Sequence, residues 1–303
     1  MATDMPVCLV RGSINMVPHI VNPGETISST EYSQRPGGKG ANQAVAVAAS
    51  GSRVEFAGSV GSDGAWLKDF LQERGIGTDL MLIHEGVPSG RAIIQTTPDG
   101  ENAIFLFPGT NYASYPTDAP ALRPYHTHLL LQNEILLSDT LETLRAAHQQ
   151  GVVSIFNPSP MLTPEELRLF PWEKLSVLVV NQGEARTLLN AIANRDEKLA
   201  DSDGKTILVA QSRVSRPPTG REIIQLPAAK VKVTDTTGAG DTFLGYLCGS
   251  LMRIPGKVWD VKQLTEALKR SIVAASLSTE RPGAMSSIPS NLEVESRLSA
   301  YVN

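Results

Sequence analysis

A short segment in the last quarter of the chain combines glycines and acids in a pattern that suits phosphoryl chemistry. It reads Asp235-Thr236-Thr237-Gly238-Ala239-Gly240-Asp241-Thr242-Phe243 and leads into an apolar helical stretch. The first N–H groups of a helix have no partner within it, so those of Gly238, Ala239 and Gly240 would form a concave set of donors for an anion. Asp241 would stand beside that anion hole, where a carboxylate can accept the proton of an attacking hydroxyl. Helix capping by a threonine explains part of the segment, but not the Gly-x-Gly alternation.

A second glycine cluster opens another helical stretch near the N-terminus. It reads Gly37-Gly38-Lys39-Gly40-Ala41-Asn42-Gln43-Ala44. Gly37 and Gly38 allow positive φ angles and the close approach of a ligand. Lys39 offers a positive charge, and Asn42 offers both donors and an acceptor. A tight loop before a core helix is the alternative interpretation. A Walker loop is excluded, because no Gly-Lys-Ser/Thr sequence occurs at the required spacing.

The elements that must position these clusters alternate along the chain. Buried strands are predicted at Val7–Val10, Val54–Ala57, His128–Leu131, Val152–Phe156, Val177–Val180 and Lys205–Ala210. Helices are predicted at Lys39–Ala49, Ala65–Arg74, Ser138–Gln150, Thr163–Leu169 and Glu184–Ile192. Strands separated by helices indicate crossover connections, hence a three-layer α/β/α body with a mainly parallel central sheet.

Three β-type segments have no helices between them. Glu25–Tyr32 precedes the second glycine cluster, while Arg91–Thr97 and Ile104–Phe107 form a predicted hairpin. These segments favour a small β-sheet lid, with segments 24–36 and 90–108 projecting from a single domain that spans residues 1–303. A further short strand, Val231–Val233, is predicted just before the anion-hole segment.

The composition limits the classes of partner. Of the 303 residues, 41 % are hydrophobic, and the formal net charge is −4. A mildly acidic protein has no overall field that attracts nucleic acid or an anionic membrane, so no such partner is expected. Cys8 and Cys248, both in apolar stretches, read as buried thiols in a reducing compartment. We find no signal peptide and no membrane span, so we expect a cytoplasmic protein, with the nucleus as the other reducing location.

The two glycine clusters resemble the two signature patterns of the PfkB carbohydrate-kinase family. Two further runs, Gly12-Ser13-Ile14-Asn15 and Pro23-Gly24-Glu25-Thr26, are similar to its ribokinase branch. The resemblance extends in order from Gly12 to Pro289 and implies the ribokinase-like fold. It also implies transfer of the γ-phosphoryl group of ATP to the primary hydroxyl of a sugar, with D-ribose favoured and with D-ribose 5-phosphate and ADP as products.

The resemblance also implies roles for individual residues. The positions that match the family's sugar contacts are Asn15, Gly38, Lys39, Asn42 and Glu134. Asp241 matches the general base, and Gly238, Ala239 and Gly240 match the anion hole. From its position alone, Glu134 could equally be a solvated loop acid.

The same family match implies an ATP site and two cations. Asn181 and Glu184 match an element that helps to place Mg²⁺ and the phosphates, together with Thr237, Gly238 and Gly240; without the family, Asn181 would be read as a helix cap. A potassium ion is implied near a second group of positions, namely Asp235, Thr237, Gly283 and Ser287.

Three positions depart from the family pattern and leave alternatives open. Val17 stands where ribokinases carry an Asp that holds ribose, Ala210 leads into no Gly-rich turn, and Ile272 replaces a polar adenine contact. The alternatives are a kinase for another sugar or a nucleoside, and a relative with impaired catalysis that binds ligand or regulates. A homodimer through the lid is also expected, because lid strands expose edges that need a partner.

Overall fold

The computed structural model describes residues 7–11, 15–16, 35–96, 102–116, 121–192, 207–210 and 224–301. The strands in these ranges are β1 Val7–Arg11, β2 Asn15–Met16, β3 Pro36–Gly37, β4 Arg53–Gly61, β5 Met81–His84, β6 Arg91–Thr96, β7 Asn102–Phe107, β8 His128–Leu131, β9 Val153–Phe156, β10 Val177–Val180 and β11 Ile207–Ala210. The helices are α1 Lys39–Ala49, α2 Trp66–Gln72, α3 Leu137–Gln150, α4 Pro164–Leu169, α5 Gln182–Ile192, α6 Ala239–Met252, α7 Val261–Ser278 and α8 Asn291–Tyr301. Within these ranges, the helices lack the length and apolarity that crossing a bilayer requires.

The central sheet has the order β11-β10-β9-β8-β1-β4-β5. All neighbouring pairs are parallel except β10 with β11. Most of its strands are largely apolar, as expected where helices cover both faces of a sheet. In β1, Cys8 and Val10 join one core cluster while Leu9 joins the cluster on the other face. This arrangement confirms the predicted three-layer α/β/α fold with a mainly parallel sheet.

Helices α1 and α6 pack unusually closely, and this contact brings the two glycine clusters together. A Cβ atom built on Gly245 would lie 2.3 Å from the Ala46 Cβ, and one built on Gly249 would lie 2.0 Å from the Ser50 Oγ. The two glycines are four residues apart and therefore share one face of α6. Larger residues at these positions would force the helices apart and separate their N-terminal ends.

A second, smaller sheet has the order β3-β2-β6-β7. The predicted hairpin is confirmed, since β6 and β7 pair antiparallel from Arg91 opposite Phe107 to Thr96 opposite Asn102. The predicted segment Glu25–Tyr32 lies outside the described residues. Strand β3 ends one residue before the N-cap of α1, so the small sheet connects directly to the start of that helix.

Asp63, which follows β4 in the main body, anchors the small sheet. Its Oδ1 accepts hydrogen bonds from the backbone and the hydroxyl of Ser89, at 2.9 and 2.8 Å, and its Oδ2 pairs with Arg91 at 2.5 Å. Burial by itself raises the pKa of the Asp63 carboxyl, but the hydrogen bonds from Ser89 and Arg91 outweigh burial and lower the pKa. The ionised carboxylate therefore holds the beginning of β6 against the main sheet.

The strand predicted at Val231–Val233 is wrong. Residues 224–233 form no hydrogen-bonded ladder with the described strands, and Val233 is 59 % exposed. The chain is tied down just beyond, where the N–H groups of Thr234 and Asp235 both donate to the Thr279 carbonyl. The alternating pattern marked an extended surface segment rather than a strand of the sheet.

A buried histidine predicts a pH-dependent stability. Burial, with a smaller effect from the charge of Lys257, lowers the pKa of His128 to about 4. The unfolded chain protonates His128 at a higher pH than the folded chain does. The stability contributed by the neutral, buried His128 is therefore complete above its ordinary pKa of about 6.5 and is lost as pH falls towards 4. We expect the free energy of unfolding to fall by about 2 kcal/mol between pH 7 and pH 5 from this group alone. Urea unfolding at both values measures the change, and His128→Leu should remove this contribution; an unchanged difference in that variant would contradict the assignment.

Candidate active site

Asp241 lies where the N-terminal ends of α1 and α6 meet. Its Oδ2 accepts a hydrogen bond from the Asn42 Nδ2, and its Oδ1 accepts one from the Gln43 Nε2, both at 2.9 Å. Asp241 is only 6 % exposed. Two amide donors, one on each oxygen, therefore fix the plane of a buried carboxylate. This contact joins the two glycine clusters, which are about two-thirds of the chain apart in sequence.

The start of α1 is shaped by one glycine and one acid. Gly38 is the N-cap and has a φ of 93°, a conformation that favours glycine, whereas Gly37 lies in β3 without positive φ. The backbone N–H of Lys39 donates to the Glu134 Oε2 at 2.8 Å. Glu134 follows β8, so a carboxylate from the end of a parallel strand meets the positive end of the α1 dipole. Gly38, Lys39, Asn42, Glu134 and Asp241 thus converge on one place.

The first turn of α6 begins at Gly238 and has open space beside Gly240. Gly238 is its N-cap with a φ of 76°, and a Cβ there would lie 2.9 Å from the Ala284 Cα. The Ala239 N–H donates to the Thr236 carbonyl at 3.2 Å, so this predicted donor is engaged within the turn. No acceptor among the described residues takes the N–H of Gly238 or Gly240. A Cβ on Gly240 would meet nothing within 4 Å, so there is open space beside Gly240 at this end of the helix.

Asp235 joins the two loops that flank this turn. Its Oδ1 accepts from the Thr237 N–H at 2.9 Å, and its Oδ2 accepts from the Gly283 N–H at 2.7 Å. Burial raises the pKa of Asp235, but these hydrogen bonds and the charge of Arg35 outweigh burial and lower the pKa. The carboxylate is consequently ionised at neutral pH and fixes the spacing of the loops.

These loops hold the positions that the sequence predicts for a monovalent cation. Asp235 brings negative charge to them, and each of its carboxylate oxygens accepts a backbone N–H. Ser287 is fully buried on the same loop, and its Oγ donates to the Ala284 carbonyl at 2.9 Å. In the described part of the chain, no cluster of three or more His, Cys, Asp or Glu residues could hold a transition metal.

Asn181 and Glu184 form a reciprocal cap on α5. The Asn181 N–H donates to the Glu184 Oε2, and the Glu184 N–H donates to the Asn181 Oδ1, both at 2.9 Å. The arrangement matches the helix-cap interpretation of Asn181. Glu184 is a single carboxylate in the first turn of α5, which would fit Mg²⁺ only as an outer partner, because that ion usually keeps several waters and binds phosphates.

Sequence reasoning missed two glutamines in the site. Gln43 and Gln132 are both fully buried, and the Gln132 Nε2 donates to the Gln43 Oε1 at 2.6 Å. Gln43 stands inside the second glycine cluster, and Gln132 directly follows β8. Gln43 is next to Asn42 in sequence and Gln132 is close to Glu134, which could have indicated that both lie near the site. No local pattern shows that the two glutamine side chains meet.

The remaining predicted positions are only partly described. Asn15 lies in β2, whose backbone pairs antiparallel with Gly37 beside the start of α1. Val17 and the segment that follows Ala210 lie outside the described residues. Ile272 is half-buried and packs against the core cluster that includes the apolar faces of α1 and α6.

Comparison with known proteins extends over nearly the whole chain. Residues 5–291 match the model of the pfkB family carbohydrate kinases. The ribokinase of Haemophilus influenzae is 32 % identical over 308 residues, with 94 % of this chain and 95 % of that protein covered. A bifunctional ribokinase/ribose-5-phosphate isomerase A of Fructilactobacillus sanfranciscensis is also 32 % identical, but this chain spans only 55 % of it.

Solved structures show the same relationship. A ribokinase from Cryptococcus neoformans var. grubii serotype A in complex with ADP is 42 % identical, with a TM-score of 0.80 and coverage of 96 % of this chain and 99 % of that one. A ribokinase of Arabidopsis thaliana, complexed with ribose and ATP, is 26 % identical with a TM-score of 0.73 and coverage of 97 % and 98 %. Since the family model and these relatives match most of the chain, it belongs to the pfkB family of carbohydrate kinases.

Proposed function

We propose that this protein is an ATP-dependent sugar kinase that transfers the γ-phosphoryl group to the primary hydroxyl of D-ribose. The observation that carries the proposal is the buried Asp241 carboxylate, held by two amides beside an open, glycine-lined helix N-terminus. A proton acceptor and an anion hole side by side are the two parts that phosphoryl transfer to an alcohol needs. The names of relatives from several kingdoms, and one complex with ribose and ATP, support the choice of sugar.

In this proposal Asp241 accepts the proton of the sugar hydroxyl as its oxygen attacks the γ-phosphorus in line. The N–H groups of Gly238 and Gly240 donate to the equatorial oxygens, where negative charge is concentrated in the transition state. Ala239 contributes by shaping the turn, since its own N–H is engaged with Thr236. Positioning and charge stabilisation supply most of the acceleration, as is general for this reaction.

A buried acceptor of Asn42 supports a sugar beside Asp241. The Asn42 Oδ1 has no hydrogen-bond partner among the described residues, although its Nδ2 is bound to Asp241. A buried polar atom without a partner is costly, and a ligand hydroxyl would satisfy it. Glu134, Lys39, Gly38 and Asn15 stand around the same end of α1 and complete the proposed sugar site.

The small sheet would act as a lid over this sugar site. Segments 24–36 and 90–108 of a single domain form the proposed lid, and Asp63 anchors it at Ser89 and Arg91. Closure over the cleft would exclude water and so suppress hydrolysis of ATP.

Two cations belong to the proposal. Mg²⁺ would be held by the phosphates and by Glu184 with Asn181, through waters, and it would neutralise charge on the phosphates when bound. K⁺ would be held near Asp235, Thr237, Gly283 and Ser287. These residues support the anion hole, because the Asp235 carboxylate links the Thr237 and Gly283 backbones that flank Gly238. The reducing cytoplasm is the proposed location, in line with the free thiols of Cys8 and Cys248.

A coupled assay of ADP formation, with Mg²⁺ and K⁺ present and a panel of pentoses, hexoses and nucleosides, tests the function. We expect ribose to give the highest kcat/KM, and the product to be the 5-phosphate by NMR. A higher kcat/KM with a nucleoside or hexose than with ribose would show that the proposed substrate is wrong but that the protein is a kinase. No turnover with any acceptor would contradict the catalytic proposal and leave a binding protein.

The exposed edge of the small sheet predicts a homodimer. Strand β7 lies at the edge of the small sheet and exposes Phe105 by 60 % and Phe107 by 41 %, on the same face of the strand. Exposed apolar edges of this kind favour pairing with a second sheet. Light scattering should give twice the chain mass of 32.5 kDa, and Phe105→Lys with Phe107→Lys should give the monomer. A monomer for the unmodified protein at tens of micromolar would contradict the prediction.

A further inference from the structure

Two glutamines near Asp241 have no part in the reaction as described so far. Gln43 and Gln132 are each 0 % exposed, so neither can present an amide to a ligand in an open cleft. Buried amides are expensive unless hydrogen-bonded, and these two are bonded to each other and to the acid. The Gln132 Nε2 donates to the Gln43 Oε1 at 2.6 Å, and the Gln43 Nε2 donates to the Asp241 Oδ1 at 2.9 Å.

The direction of this chain of hydrogen bonds is set by the charge on Asp241. An ionised carboxylate only accepts, so the facing atom of Gln43 must be its Nε2. The Gln43 Oε1 then points away and requires a donor, which the Gln132 Nε2 provides. Asn42 faces the other carboxylate oxygen with its Nδ2 for the same reason. One negative charge therefore orients three amides.

We propose that Gln43 and Gln132 are positioning residues for the base, with Gln43 acting on Asp241 directly and Gln132 acting only through Gln43. The inference rests on the proposed function, because it concerns the geometry of proton acceptance. Donors to both oxygens prevent rotation of the carboxylate about its terminal bond and leave a fixed lone pair directed at the hydroxyl.

The obvious alternative is that these glutamines only fill the core between β8, α1 and α6. The two roles make different predictions, because methionine has nearly the volume of glutamine and fills the same space without a donor. The Gln132 Oε1 has no partner among the described residues, so Gln132→Met also removes an unsatisfied atom and should fold. A core-filling role therefore predicts that the methionine variants keep their activity.

The test compares Gln43→Met, Gln132→Met and the double variant in kcat and in KM for ribose. Ser154→Ala is the matched control: it removes the side-chain hydrogen bonds of a buried serine on β9, opposite Leu129 and away from the carboxyl ends of the strands. We expect kcat to fall about ten- to a hundredfold in Gln43→Met, as for a misplaced catalytic group, with KM for ribose within about threefold.

The double variant tests whether Gln132 acts on Asp241 only through Gln43. Gln132→Met alone should lower kcat about two- to tenfold, the effect of one hydrogen bond, and in the double variant it should add less than about twofold to the loss from Gln43→Met. Fully multiplicative losses would overturn the serial arrangement. A Gln43→Met kcat within about twofold of the unmodified protein would overturn the positioning role altogether.

A spectroscopic readout separates this inference from the proposed function. If the unmodified protein phosphorylates no acceptor, the function fails, but the side-chain amide signals of Gln43 and Gln132 still report the chain of hydrogen bonds. Asp241→Ala should shift both signals in ¹H–¹⁵N spectra, and Ser154→Ala should shift neither. A shift confined to Gln43, or to neither glutamine, would overturn the inference.

Discussion

The Asp241→Asn variant is expected to lose about a hundred- to ten-thousandfold in kcat while it still binds ribose and ATP, because a general base contributes by that amount. An asparagine keeps the shape of the aspartate but cannot accept a proton. It should also fold well, since the neighbouring amides can reverse. Gln43 can turn its Oε1 towards the new amide, and Gln132 can turn its unpartnered Oε1 towards the Gln43 Nε2.

Steady-state kinetics and calorimetric titration of both ligands measure the Asp241→Asn effect. The loss should lie in kcat, with dissociation constants close to those of the unmodified protein. Retention of more than about a tenth of the rate would show that Asp241 is not the base. The family membership would stand, but the mechanism would need another proton acceptor.

The Gly240→Val variant is expected to lose activity without losing its fold. Gly240 has no positive φ, and a Cβ there meets nothing within 4 Å, so the position accepts a Cβ without backbone strain. Its side chain would instead occupy the open space beside Gly240, where the proposed phosphoryl group approaches the N–H donors. Displacing the phosphoryl group from these donors should lower kcat/KM for ATP by about a hundred- to a thousandfold, as for the loss of an anion-hole donor.

Gly238→Ala is the informative control for Gly240→Val. Gly238 has a φ of 76°, and its added Cβ would lie 2.9 Å from the Ala284 Cα, so this substitution strains the turn itself. Thermal unfolding should show a lower melting temperature for Gly238→Ala and an unchanged one for Gly240→Val. ATP binding to Gly240→Val that equals that of the unmodified protein would contradict the proposed position of the phosphates.

The sequence predicted those parts of the fold that local patterns determine. Helix Lys39–Ala49 and strand His128–Leu131 have the predicted bounds, because a glycine cap and a compact apolar run mark their ends. The strand at Val231–Val233 was wrong, because alternation does not reveal whether a neighbouring strand is present. The sequence also could not show which glycine of the Gly-x-Gly pair carries the positive φ; the structure places it at Gly238 and leaves Gly240 in the helical conformation of α6.

The site was predictable as a set of residues but not as a network. The glycine clusters and Glu134 were recognisable, and the structure brings them together at the start of α1. The hydrogen bond between Gln43 and Gln132 joins residues 89 positions apart, and nothing near either residue indicates the other. Such contacts depend on the packing of whole elements, which single-sequence patterns do not encode. The roles of these residues in catalysis stay predictions until the variants are measured.

The close contact between α1 and α6 has a consequence for synthesis of the protein. Asn42 and Asp241 are 199 residues apart, so the ribosome completes α1 long before its partner helix exists. Until α6 emerges, the small-residue face of α1 at Ala46 and Ser50 stays uncovered, and Asp241 is absent from the site. A nascent chain can therefore gain most of its secondary structure before it gains any catalytic capacity. Closing this long-range contact should be a late step in folding, and activity should appear last.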